Sequence, residues 1–140
     1  MTVVTSSEPF SPPDIPWRRP QAFTPPVDLG PGLDPTIINQ ALARLCGEPG
    51  LLSVVAFGSR AQGNAAADSD LDLAVIMKQP QLNPSEKAAS WQRFRQAIGP
   101  LGLRVDLVVS GAADAERLSG SRWHVFGDVA REGKVLYVAG

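Results

Sequence analysis

The sequence predicts an α/β (α+β) domain, a mixed sheet with helices packed on it. Short apolar runs rich in β-branched residues alternate with segments of helical period. The longer helical segments open on a capping residue, Asp34, Asn83 or Ser121, and close near a glycine. The prolines are segregated: nine of the thirteen fall at or before Pro35, so regular secondary structure is expected only beyond that point.

Residues 1–33 therefore read as a Pro-rich extended arm, and residues 34–140 as the folded domain. The arm carries Phe10, Trp17, Phe23 and the pair Arg18-Arg19. Two readings stand for it, a disordered tail or a strap that lays its aromatics on its own domain or a partner. Asp34 is a good N-cap with Pro35 at the first helical position, and Ile37, Ile38, Ala41, Leu42 and Leu45 follow at helical spacing. After the turn Glu48-Pro49-Gly50, residues 51–57 read as a buried strand broken by Gly58-Ser59. Residues 71–77 read as a second strand. Asn83-Pro84-Ser85-Glu86 has the form of a capping box, which starts a helix running to about Ile98. A third strand is expected at 103–109 and a short helix at 112–118. A further helix capped by Ser121 should reach about Arg131, with a last strand at 134–138.

Composition narrows the function. The 140 residues suit one domain; 44% are hydrophobic and 19% charged, which supports a packed core. A net charge of -1 and a pI near 5.7 give no support for wrapping duplex nucleic acid, and leave room for a local basic patch around a polyphosphate. The lone Cys46 excludes an internal disulfide and reads as a helix-packing residue. The lone His124 excludes a multi-His metal site and is expected on a helix near the C-terminus. No apolar run approaches the length of a membrane span, and the first residues lack the basic start and apolar core of a secretory signal, so the expected compartment is the cytoplasm.

The chemistry gathers in two places. Asp70 and Asp72 flank Leu71 at a strand start, and period-2 geometry points both carboxylates to one face. Repelling carboxylates on one face are well served by a divalent cation, and Mg2+ favours carboxylate oxygens with phosphates and water. Asp106 lies mid-strand among apolar neighbours, where a charge is costly unless paired or ligated. If its strand neighbours that of Asp70, three acids could hold two metals ~3.5–4 Å apart, with Asp106 as a plausible proton acceptor. Arg104, two residues away, shares that face but is expected to be a surface arginine. The second place is Gly58-Ser59-Arg60. A strand-ending glycine lets backbone approach a phosphate, the Ser59 hydroxyl can donate to it, and Arg60 offers a charged fork. Asp68 is expected in water or capping its loop, and Asp114, Glu116, Asp128 and Glu132 on solvated helix faces.

The run Gly58-Ser59-Arg60-Ala61-Gln62-Gly63, ten residues from Ser59 to Asp70, then Ser69-Asp70-Leu71-Asp72, resembles the signature of the DNA polymerase beta-like nucleotidyltransferase superfamily. Arg60, Gly63 and Ser69 point to its minimal nucleotidyltransferase (MNT) group, and residues 129–137 are similar to that group's usual ending. The likeness covers roughly residues 35–138. It implies a compact core with helices on one side of a mixed sheet. It also implies Mg2+-dependent transfer of a nucleoside monophosphate, most often AMP from ATP, to a hydroxyl, with Asp70, Asp72 and Asp106 as metal ligands and Gly58, Ser59 and Arg60 at the triphosphate. Stand-alone members are commonly paired with small helical HEPN proteins in toxin–antitoxin modules, which makes such a protein the expected acceptor. The alternatives are a non-catalytic partner- or nucleotide-binding antitoxin, and an antibiotic-modifying transferase.

Overall fold

The computed structural model describes residues 14–140. A four-stranded mixed sheet forms its centre, in the order β3-β2-β1-β4. The strands are β1 (Leu51–Phe57), β2 (Leu71–Met77), β3 (Val105–Gly111) and β4 (Lys134–Val138). β1 runs antiparallel to β2 and to β4, while β2 and β3 are parallel. A parallel pair needs a long crossover, here supplied by α3 (Pro84–Ile98).

The helices start where local chemistry places them. α1 (Pro35–Cys46) is capped by Asp34, whose carboxylate accepts from the Thr36 and Ile37 amides. α3 opens with the full capping box: Asn83 accepts from the Glu86 amide at 2.8 Å and Glu86 accepts from the Asn83 amide at 3.0 Å.

Helices pack on both faces of the sheet, not on one as the resemblance implied. Ile38, Leu42 and Leu45 of α1 and Phe94 and Ile98 of α3 bury against Val54, Ala56, Leu73, Val75 and Val109. On the other face, Ala115 of α4 (Ala112–Leu118) and Phe126, Val129 and Ala130 of α5 (Val125–Glu132) bury against Val55, Ala74 and Ile76. Strands covered on both faces read as continuous apolar runs, which is why β1 and β2 lack polar alternation. Each fully buried large side chain contributes about 1.5–3 kcal/mol.

Two expected boundaries shift. The third strand starts at Val105 rather than Leu103, because Gly102 turns the chain with φ +78°. The last helix starts at Val125 rather than beside Ser121. Ser121 closes a local turn by accepting from the Trp123 amide, and the cap passes to His124, whose Nδ1 accepts from the Phe126 amide at 3.1 Å. His124 is thus structural, but it precedes the helix rather than lying on it, and it stacks on Phe126 at 5.9 Å.

The described part of the proline-rich segment lies against the domain. A single 3-10 turn, Pro16–Arg18, seats Trp17 edge-on to Phe126 at 6.4 Å. Gln21 bridges to Val138 at the edge of β4, and Phe23 and Leu29 reach the α1/α3 core. Phe10 lies outside the described residues.

Candidate active site

Asp72 and Asp106 meet because of register. They are Cα partners across the parallel β2–β3 pair, and both continue the face that carries Ala74 and Val108. Asp70 immediately precedes β2 on the same side. Its backbone position is fixed on one flank by the Leu71 amide donating to the Arg104 carbonyl at 2.9 Å. The two halves of the expected site adjoin, since Phe57 pairs with Asp72 and places Gly58 beside that carboxylate. Gly58 has φ +73°, and a Cβ there would collide with Asp72 Oδ2. Glycine is therefore required both for the turn and for the close approach. Ser59 then opens the short helix α2 (Ser59–Gln62).

Electrostatics follow from this crowding. Partial burial raises the Asp72 pKa above the usual carboxylate value, the nearby Asp106 and Asp70 charges raise it further, and Arg104 acts the other way. Arg104 is in the site, not merely on the surface. Its Nε lies 3.1 Å from Asp106 Oδ1 and 4.0 Å from Asp70 Oδ2, with the side chain 73% exposed. Among the described residues no group of three or more His, Cys, Asp or Glu is gathered closely enough to hold a metal ion. The donor chemistry, carboxylates alone with like charges crowding Asp72, suits a hard divalent cation. The Arg104 guanidinium pairs with Asp106 and reaches Asp70, so it occupies the same face as these acids.

Arg60 departs from its expected place. Its side chain is 1% exposed, and its N–H groups donate to the carbonyls of Leu29, Pro31, Ala66, Ala67 and Ser69. A guanidinium has five N–H donors, so none is left for a phosphate. Spacing put Arg60 near the site correctly but could not show that the side chain turns under the loop. Asp128 lies on an exposed face as expected and pairs with Arg131, whereas Asp114, expected on a solvated face, is half-buried beside Arg117 at the edge of a groove. A separate groove of about 380 Å³ lies along β3 toward Trp91, Val125 and Phe126, and none of the three acids lines it. No helix among the described residues is long and apolar enough to cross a membrane.

The parallel β2–β3 pair thus sets Asp72 and Asp106 side by side, with the Gly58 turn packed on Asp72. The family model described as Polymerase beta, Nucleotidyltransferase matches residues 40–138, and the chain belongs to that family. No curated protein matches the sequence. Solved structures that resemble it include a toxin-antitoxin with AMP-PNP, at 25% identity over 71% of this chain and 72% of that one, TM-score 0.47. A mutant of the toxin-antitoxin MntA-HpeT aligns at 26% identity over 76% and 74%, TM-score 0.46. A putative nucleotidyltransferase from Sulfolobus solfataricus aligns at 20% identity over 74% and 75%, TM-score 0.47.

Proposed function

We propose that this domain transfers AMP from ATP to a hydroxyl of a small helical HEPN-type partner protein, as the antitoxin of a toxin–antitoxin pair. The single observation that supports the chemistry most is the Asp72–Asp106 register, which sets two carboxylates side by side next to the Gly58 turn. The family membership agrees with it. The antitoxin role rests on the likeness of the Gly58–Asp72 motif and of residues 129–137 to the MNT group.

In this reading Asp70, Asp72 and Asp106 are the residues that hold Mg2+, as one ion or two. Bound there, Mg2+ would screen the triphosphate's charge and favour departure of pyrophosphate. Gly58 lets the backbone approach the triphosphate, and the Ser59 hydroxyl donates to one of its oxygens. Holding Mg2+ would require Asp106 and Asp70 to exchange their contacts with Arg104 for the ion. Asp106 accepts the proton of the attacking hydroxyl, the O–P bond to the acceptor forms, and the bond to pyrophosphate breaks. Phe57 and Val108 form the apolar flank of the site, where they pack against the α5 cluster.

The test is to incubate the chain and its co-encoded helical partner with ATP labelled at the α- or the γ-phosphate, with Mg2+. Label from the α-position on the partner, and none from the γ-position, supports nucleotidyl transfer. Absence of both labels contradicts it. A binding-only antitoxin is the competing reading, favoured by the Arg104 ion pairs that occupy Asp106 and Asp70. Neutralisation of the partner that survives Asp72→Asn intact would establish binding instead.

A further inference from the structure

The structure assigns Arg60 the role of a positioning residue that holds Asp70 in place through the Ser69 carbonyl, by clamping the site loop to residues 29–32. This rests on the reading of Asp70 as a site residue.

The clamp has three layers. At its centre, Arg60 Nε donates to the Ser69 carbonyl at 3.0 Å, on the peptide that leads directly into Asp70. Its two terminal nitrogens divide between two segments: Nη1 reaches Leu29 at 2.9 Å and Pro31 at 2.8 Å, and Nη2 reaches Ala66 and Ala67. On the outer side, the segments touch directly. Gly30 and Gly32 have φ +89° and +88°, and a Cβ at Gly32 would drive into the Ala67 backbone. Within the loop, the Ser69 hydroxyl accepts from the Ala66 amide at 2.8 Å and the Ser69 amide donates to the Ala66 carbonyl at 3.1 Å. The Ser69–Asp70 peptide is therefore gripped from the Arg60 side, while Leu71 is tied to Arg104 on the other.

A buried guanidinium without partners would be costly, so the five carbonyls and the cation depend on one another. The carbonyls of 66, 67 and 69 face one charge, which fixes the loop's path between α2 and β2. The position of the Asp70 carboxylate relative to Asp72 then follows from residues more than thirty positions upstream. No sequence pattern shows this, because the acceptors are backbone carbonyls that any residue supplies.

The experiment compares the full-length protein with Arg60→Lys and Gly32→Ala. A lysine has three donors on one atom and cannot span five carbonyls. Label transfer to the partner should fall about 100-fold in kcat in both variants, while KM for ATP stays within about twofold, as misplacement without loss of a binding contact requires. Hydrogen–deuterium exchange should rise at amides 66–71 and not in the interior of β1. A KM for ATP raised with kcat retained in Arg60→Lys would overturn the assignment, since that is the behaviour of a phosphate ligand. So would unchanged kcat in Gly32→Ala. The exchange measurement needs no turnover. Faster exchange at 66–71 in the two variants, beside a wild-type protein that transfers no label, would sustain the clamp and reject the transferase reading, whereas exchange in the variants equal to wild type rejects the clamp.

Discussion

Asp72 is where charge, backbone and register meet, and its ionisation has a measurable consequence. Its carboxyl is pushed up by burial and by the Asp106 and Asp70 charges. The folded, metal-free protein therefore holds this proton more tightly than the unfolded chain. The stability it contributes is full below the ordinary carboxylate value and is lost as pH rises through the raised value. Thermal unfolding of metal-free protein across that acidic window should show the Tm of wild type falling relative to that of Asp72→Asn as pH rises. A wild-type Tm that instead gains on the variant as pH rises would contradict the raised value. Cys46 gives a second residue-scale prediction. Burial pushes its thiol up to about 12, so a thiol reagent at pH 8 should label the protein only after denaturation. Rapid stoichiometric labelling of native protein would contradict that. Legibility also differs residue by residue. Asp106 could be found because a charge inside an apolar strand demands a partner. The roles of Arg60 and Arg104 could not, because spacing fixes where a Cα lies while long side chains choose among partners the fold brings near. Arg60 turned inward to carbonyls, and Arg104 turned to the acids.

At the scale of elements, caps and turns were the readable features. Asp34 and the Asn83–Glu86 box act locally, so sequence alone places α1 and α3. Ser121 and His124 show the limit. Both side chains can cap; His124, which stacks on Phe126, is the one that caps α5, and that contact is set by tertiary packing rather than by local sequence. The Pro16–Arg18 turn is a further case, since proline content argues against regular helix and says nothing of one anchored 3-10 turn. Trp17 is 4% exposed and sits among Ile15, Val138 and the α5 side chains. Trp17→Ala should cost about 3–5 kcal/mol in denaturant unfolding, the usual loss for a buried aromatic. A change under about 1 kcal/mol would mean that the segment contributes little to the fold.

For the whole molecule, strand order matters more than any single element. The order β3-β2-β1-β4 makes Asp106 a neighbour of Asp72 and brings Gly58 to the same end of the sheet. Alternating elements predicted a sheet with helices on it. They did not predict which strands neighbour, nor that helices cover both faces, because the periodicity of a short helix such as α4 or α5 shows which of its own faces is apolar and not which face of the sheet that side meets. Family membership accounts for the domain as a nucleotidyltransferase, and the central claim is that the aspartates bind a nucleotide through a divalent cation. Calorimetric titration with AMP-PNP, with and without Mg2+, tests that claim without needing the acceptor. The account predicts that Mg2+ tightens binding by about tenfold or more in the wild type and has no effect in Asp72→Asn. Equal binding with and without Mg2+, or a Mg2+ effect retained in Asp72→Asn, would contradict it.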